Sequence, residues 1–164
     1  MAEKSRYNYR VEPQDVDFTL RATIPSLGGS ILNTAGIDAH GKGFGVDALN
    51  ADNHSWVLSR MAVEFDYQPV QYTDYEVATW ISDYGRMLST RNFELTDQTG
   101  VCFGRVVSQW CMLDLSKRTA VDLRAVAESH NDAIVECPSP AEKPRKVPAP
   151  DAEPVRSEER RVGK

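Results

Sequence analysis

Apolar and polar residues alternate near the start of the chain, and the period then changes. Tyr7 and Tyr9 alternate with polar neighbours over residues 5–12, which is the period of a strand with one buried face. Over residues 24–41 apolar side chains recur at four-residue spacing, and Pro25 falls where the first helical turn accepts proline. The pattern predicts one strand followed by one long helix.

Glycines interrupt this predicted helix. Gly28, Gly29 and Gly36 lie inside it, and each costs about 1 kcal/mol relative to alanine in a helix interior. We therefore expect another element to pack closely on the helix at these positions. The GKGFG segment at 41–45 ends the helix, and a short helical turn is predicted at 46–49.

Strand-like segments with short turns between them fill the middle of the chain. Their predicted ranges are 54–66, 74–83, 87–96 and 101–114. The turns favour an antiparallel meander of consecutive neighbours. One strand, one long helix and four antiparallel strands indicate an α+β layer in which a curved sheet wraps around a central helix, the order of the hot-dog fold.

The composition changes after residue 124. We assign a hot-dog domain to residues 1–124, and a short helix with a proline-rich linker to residues 125–155. The final segment, 156–164, is charged and offers no apolar face, so we predict a disordered tail or an artefact of the reading frame.

Charge and cysteine content exclude several function classes. The formal net charge is −5, which argues against nucleic-acid binding. No segment has the apolar length needed to span a bilayer or the pattern of a signal peptide, so we expect a cytoplasmic protein without a membrane partner. Cysteines and histidines lack metal-ligand spacing, and we predict neither a metal nor a cofactor.

Several segments together carry a family resemblance. They read WVLSRMAVEFDYQP at 56–69, YEVATW at 75–80, GRMLSTRNF at 85–93 and SQWCMLDLSKR at 108–118. Order, spacing and residue types over roughly 70 positions resemble the N-terminal half of acyl-acyl-carrier-protein thioesterases. The resemblance implies a thioester hydrolase of fatty-acid biosynthesis, built from two hot-dog units, whose partner is acyl carrier protein carrying a fatty-acyl chain.

The catalytic set of that family lies in the second unit, on an Asp-x-Asn-x-His stretch. No such stretch occurs in this sequence, so no catalytic residue is carried over, and we expect a substrate-binding half that is inactive alone. The alternative is a non-enzymatic hot-dog homodimer, paired through sheet edges, that binds acyl chains or a protein partner.

The resemblance implies that the first unit supplies most of the acyl-chain cavity. The candidate wall residues are Met61, Val63, Met87, Ser89, Arg91 and Phe93, and the alternative for each apolar member is a plain core position. An unpaired guanidinium would be costly to bury. We therefore expect Arg91 either to contact substrate or to form an ion pair, with Glu64, Asp66 or Glu94 as the candidate acids.

Two further groups of charges have candidate roles. Lys117, Arg118 and Arg124 form a basic cluster that could steer acidic acyl carrier protein, or be an ordinary solvated edge. Asp15 and Asp17 precede the long helix where hot-dog enzymes often carry a working site. Without a following histidine, we interpret them as helix-capping residues held ionised by the neighbouring arginine.

Overall fold

The computed structural model describes residues 3–151. Along the chain the elements are β1 (Ser5–Arg10), α1 (Ile24–Gly41), α2 (Val46–Ala51), β2 (His54–Phe65), β3 (Asp74–Tyr84), β4 (Ser89–Asp97), β5 (Cys102–Asp114), β6 (Thr119–Ala120) and α3 (Arg124–His130). Short 3-10 turns occupy Pro13–Asp15 and Asn131–Ala133. The predicted order of one strand, one long helix and four further strands is confirmed.

The strands form one antiparallel sheet in the order β1-β3-β4-β5-β2, and the short β6 pairs with the end of β5. The meander holds for β3, β4 and β5, but the prediction that β2 pairs with β3 is wrong, because β2 crosses to β5. The connection that we interpreted as a tight turn instead pairs with the segment before α1. There Arg21 bridges Val70, and the Ala22 amide donates to the Pro69 carbonyl over 2.8 Å.

The core lies between α1 and the concave face of the sheet. The helix buries Leu27, Ile31, Thr34, Ala35, Asp38 and Ala39. Opposite them, Phe93 and Leu95 on β4 and Val106 on β5 have no exposed surface. Burying a side chain of this size stabilises the fold by about 1.5–3 kcal/mol, so this layer holds the helix in place.

The start of α1 differs from the prediction. Thr23 is its N-cap and accepts a hydrogen bond from the Ser26 amide over 3.2 Å. Asp15 instead caps the preceding 3-10 turn, and Asp17 accepts from the Thr19 amide over 2.8 Å. The predicted role of Asp17 as a cap of the long helix is therefore wrong, because the chain turns once more before the helix begins.

The expected pairing of Asp17 with Arg21 is also not found in residues 3–151. The Arg21 guanidinium donates to the Gln68 carbonyl over 2.9 Å. The hydrogen bonds from Thr19 are the main reason that the pKa of Asp17 lies below its ordinary value. The carboxylate is thus held ionised as expected, mainly by its own turn, while the backbone amide and the charge of Arg21 lower the pKa of Asp17 to a smaller extent.

The helix glycines do not mark a close approach. A Cβ built on Gly28, Gly29 or Gly36 would meet no atom within 4 Å. The prediction that another element packs on them is therefore wrong. These positions leave open space along α1, and at Gly36 that space belongs to a cavity.

The proline-rich segment lies against the sheet. We call residues 134–143 the outer strap. Ile134 forms a parallel bridge with Ile81, and the Trp80 indole donates to the Cys137 carbonyl over 3.1 Å. Trp80 alternates with the cavity-lining Ile81, so it faces away from α1, and yet it has no exposed surface. The domain division at residue 124 stays a prediction, and the predicted tail at 156–164 lies outside the described residues.

Candidate functional site

A cavity of about 190 Å³ opens between α1 and the sheet. Its wall combines side chains from α1, from the segment that leads into α2, and from β2 to β5. The lining residues are Leu32, Ala35, Gly36, Ala39, Phe44, Val46, Trp56, Ile81, Ser89, Arg91 and Trp110. Most of this surface is apolar, so the cavity suits an aliphatic group.

Small residues on the helix and large residues on the strands create this space. Ala35, Gly36 and Ala39 form the helix side of the cavity. On the sheet side, the Trp56 indole donates to the Phe44 carbonyl over 2.9 Å, which fixes the ring to the segment before α2. Trp56 therefore forms a preorganised part of the wall, because a fixed ring loses little freedom when a ligand binds.

The Trp110 indole is fixed in the same way. It donates to the Ser108 hydroxyl over 2.7 Å, and that hydroxyl donates to the Arg91 carbonyl over 2.9 Å. This chain of hydrogen bonds joins β5 to β4 at the cavity. The positions of Trp110 and of Arg91 are thus coupled through the backbone of β4.

An ion pair lies at the polar part of the cavity wall. The Arg91 guanidinium donates from Nη1 to Asp38 Oδ2 over 2.6 Å and to Thr79 Oγ1 over 3.2 Å. The side chains of Arg91 and Asp38 are 6% and 1% exposed, so the pair is shielded from water. Lys42 Nζ lies 3.0 Å from the same carboxylate. Two cations therefore share one anion.

This arrangement keeps Asp38 ionised. Burial alone would raise the pKa of Asp38, but the charge of Arg91 and hydrogen bonds to the carboxylate outweigh burial and hold the pKa below its ordinary value. Tyr7 also donates to Asp38 Oδ1 over 3.5 Å, and burial and the nearby carboxylate raise the pKa of its phenol. The tyrosine is thus a neutral donor to the anion.

The predicted ion pair of Arg91 exists, but its predicted partners are wrong. Glu94 pairs with Lys4 over 2.8 Å, and Asp66 pairs with Arg105 over 3.1 Å. Glu94 is one position out of phase with Arg91 and Phe93, so it lies on the other face of the sheet. Our sequence reasoning missed Asp38, which lies on the same helix face as the buried Ala35.

The predicted wall residues do not all meet at the cavity. Ser89 and Arg91 line it. Met61 and Val63 pack against the main core, and Phe93 belongs to that core. Met87 lies in the turn before β4 and is 41% exposed. The assignment of this set to substrate binding stays a prediction, and the aromatic wall was missed although both tryptophans lie on predicted strands.

The basic cluster lies where β5 ends and α3 begins. Lys117 Nζ is 3.9 Å from Asp114, and Arg124 pairs with Asp122. The pairing and hydrogen bonds from Arg124 hold the pKa of Asp122 far below its ordinary value. Arg118 lies in the turn with a φ of 55°. Two of the three cations therefore have an acidic neighbour, which weakens the local positive field.

Three further observations concern metal ligands, membrane-spanning helices and cysteines. Residues 3–151 contain no group of three or more His, Cys, Asp or Glu side chains arranged to hold a metal ion. No helix in the same range is both long and apolar enough to cross a membrane. Cys102, Cys111 and Cys137 are free thiols.

The strand order and the central helix place the chain in the hot-dog fold class. A DHNA-CoA thioesterase from Staphylococcus aureus has the same fold, with a TM-score of 0.70 at 12% identity over 79% of this chain and 87% of that chain. The family model described as "Acyl-ACP thioesterase N-terminal domain" matches residues 2–128. The chain belongs to the acyl-ACP thioesterase family.

Two solved structures are similar to the chain, the first in sequence and fold and the second, at 19% identity, in fold alone. An acyl-ACP thioesterase from Bacteroides thetaiotaomicron has a TM-score of 0.81 and 38% identity, over 93% of this chain and 62% of that one. The 12:0-ACP thioesterase from Umbellularia californica has a TM-score of 0.75 at 19% identity, over 88% and 60% of the two chains.

A curated relative is similar to this chain in amino-acid sequence. Oleoyl-acyl carrier protein thioesterase 2, chloroplastic, from Arabidopsis thaliana is 27% identical over 135 residues, which is 78% of this chain and 36% of the relative. The chain thus spans about a third of the length of the curated relatives that it matches.

Proposed function

We propose that this chain is the acyl-binding half of an acyl-[acyl-carrier-protein] thioesterase, a thioester hydrolase of fatty-acid biosynthesis. The observation that carries the proposal is the apolar cavity between α1 and the sheet, within the region that matches the family's N-terminal domain. Each methylene moved from water into such a cavity contributes about 0.8 kcal/mol, so the cavity can retain an acyl chain without polar contacts.

The hydrolytic step needs an activated water beside the thioester carbonyl and donors for the developing oxyanion. The 164-residue sequence contains no Asp-x-Asn-x-His stretch to supply them. In our proposal this chain binds the acyl group in its cavity and positions the thioester, and the residues that activate the attacking water belong to a second unit. The isolated chain is therefore expected to bind substrate without turning it over.

Acyl carrier protein is the proposed partner, docking at Lys117, Arg118 and Arg124. The proposal rests on charge, because a strongly acidic carrier is attracted to exposed cations even where some are partly neutralised. We place the protein in the cytoplasm, and its three free thiols support a reducing compartment.

The test measures binding of dodecanoyl-acyl-carrier-protein to the purified chain, with carrier protein that lacks the acyl group as reference. The acyl form should bind about tenfold or more tightly. Filling the cavity with Gly36→Leu should remove that difference, whereas Gly29→Leu, on the same helix but outside the cavity, should preserve it. Equal affinity for the two carrier forms, or turnover by the isolated chain, would contradict the proposal.

A second candidate is a homodimer that binds acyl chains without catalysis. The observation in its favour is β2, a strand of 12 residues at the end of the sheet whose pairing within residues 3–151 is with β5 alone. A bare edge of this length can pair with the same edge of another copy. Light scattering should then give twice the mass of the 18.3 kDa chain, whereas a monomer that still binds the acylated carrier would exclude this candidate.

A further inference from the structure

The Arg91 guanidinium carries more hydrogen-bond donors than the protein uses. A guanidinium has five N–H groups, and within residues 3–151 the hydrogen bonds of Arg91 both come from Nη1. The side chain is 6% exposed, so bulk water reaches little of it. The nitrogens of Arg91 are not among the fully buried side-chain atoms without a hydrogen-bond partner in the described part of the chain, so the remaining donors keep some accessible surface. Because Arg91 lines the cavity, a molecule in the cavity is within reach of the remaining donors.

The charges around Arg91 do not cancel. Asp38 supplies one negative charge, while Arg91 and Lys42 supply two positive charges. The two phenols nearby stay neutral: burial raises the pKa of Tyr7, and burial raises the pKa of Tyr84 to about 12. Asp38, Arg91 and Lys42 therefore sum to one positive charge, which the field of Asp132 near Tyr84 reduces and water at the 29% exposed Lys42 partly screens. An anion in the cavity beside Arg91 would compensate the charge that remains.

Hydroxyl groups lie on the same side of the site. Ser89 lines the cavity and is 4% exposed. Tyr84 is the cross-strand neighbour of Ser89 and packs against Phe44 and Ile81, which are cavity residues. The buried Tyr84 hydroxyl has no hydrogen-bond partner among the described residues. Tyr84 lies behind the wall and does not line it, so the cavity is apolar over most of its surface and carries its polar donors at Ser89 and Arg91.

We infer that this cavity binds aliphatic chains that carry a carboxylate, with the carboxylate received by Arg91. Arginine matches a carboxylate with two parallel N–H bonds, which neither a methyl end nor an alcohol can accept. The inference rests on the proposed function in one respect, since it assigns the same cavity to a chain. It differs from the proposed function in that a carboxylate of the bound chain reaches Arg91 at the polar end of the cavity.

The carboxylate can come from two sources. A free fatty acid could enter with its carboxylate first, or an acyl group whose thioester stays outside could carry a second carboxylate at its far end. Both present the same chemistry to Arg91. They differ in what remains at the mouth of the cavity, which is a methyl group in the first case and an ester in the second.

The test follows the fluorescence of the cavity tryptophans, Trp56 and Trp110, as the full chain is titrated with octanoate or with octanol. Octanoate should bind about tenfold or more tightly than octanol. Methyl octanoate and monomethyl octanedioate form a second pair. A preference for the monoester of the diacid assigns the carboxylate to the far end of an acyl group, and a preference confined to free octanoate assigns it to free fatty acids.

Variants identify the receiving group. The Asp38→Asn, Arg91→Gln double variant removes the buried pair as a whole and leaves Lys42, which is 29% exposed, as the remaining charge of the cluster. Octanoate should lose most of its advantage while octanol binds as before. Arg105→Gln, which alters an arginine paired with Asp66 away from the cavity, is the matched control and should keep the advantage. An advantage that persists in the double variant would overturn the inference.

A second variant covers the case in which the double variant does not fold. Lys42→Met removes the excess positive charge but keeps the pair of Arg91 and Asp38, and it should reduce the preference for octanoate several-fold. An unchanged preference counts against the inference. If octanol binds as tightly as octanoate, the carboxylate subsite alone is overturned. If neither probe binds, the acyl pocket of the proposed function is overturned as well.

Discussion

Asp38 on α1 and Arg91 on β4 lie 53 positions apart in sequence and 2.6 Å apart in the folded chain. The contact joins the central helix to the middle strand of the sheet at the cavity wall. Both side chains are almost fully shielded from water. Each therefore depends on the other to remain buried with its charge.

Removing one partner should be far more costly than removing both. Asp38→Ala leaves the Arg91 charge buried beside Lys42, and we expect a loss of about 3–5 kcal/mol in the free energy of unfolding. The Asp38→Leu, Arg91→Met variant should regain most of this loss, because no buried charge remains. Urea denaturation of the two variants gives the comparison, and equal losses would show that the pair acts independently of its charges.

The same carboxylate predicts an acid-sensitive component of stability. The pKa of Asp38 is lower in the folded chain than its ordinary value of 3.8, so the unfolded chain binds the proton more readily. The stabilisation is present above about pH 4 and is lost as the pH falls through the lower, folded pKa. Thermal unfolding between pH 7 and pH 3 should show a smaller decline for Asp38→Asn than for the unaltered chain. Parallel declines would contradict this assignment.

The cap of α1 gives a prediction that separates Thr23 from Asp17. Thr23→Ala removes the side chain that accepts from the Ser26 amide, and we expect a loss of about 1 kcal/mol in the free energy of unfolding. Asp17→Asn keeps an oxygen that can accept from Thr19, and the site is exposed, so its loss should be smaller. Chemical denaturation measures both, and the reverse order would return the capping role to the aspartate.

The outer strap should be visible in hydrogen exchange. The Val135 amide donates to the Ile81 carbonyl over 2.9 Å, and Val135 is 8% exposed, so its exchange should be slow. The amides of residues 145–151 should exchange rapidly, as in a solvated linker. Trp80→Phe removes the indole donor to Cys137 and should accelerate exchange at Val135, whereas rapid exchange there in the unaltered chain would show that the strap does not stay on the sheet.

Local pattern was sufficient for the elements but not for the way in which they meet. The predicted helix at 24–41 agrees with α1, because its period and its proline are properties of the segment itself. The pairing of β2 with β5 could not be predicted in this way. It depends on the residues before α1, which pair with the connection between β2 and β3.

The candidate site was likewise predicted only in part from the sequence. Alternation along β4 placed Arg91 on a buried face, which required a partner, but the candidate acids were sought on or beside the strands. Asp38 is four positions after the buried Thr34, so the helix period alone could have placed it on the same face. The tryptophan wall needed the register of β2 on β5, which sets Leu58 opposite Trp110 and Trp56 opposite Met112.

The bridge between Ile134 and Ile81 has a consequence for association between molecules. β1 pairs with β3 only as far as Thr79, and the end of β3 beyond it would otherwise offer unpaired amides and carbonyls to a neighbouring chain. The strap occupies that end of β3 and closes it to strand addition, whereas the outer edge of β1 has no partner strand within residues 3–151. Of the two open edges, β2 with 12 residues is longer than β1 with 6, so self-association and aggregation should begin on β2, and charged substitutions there should improve solubility more than those made along β1.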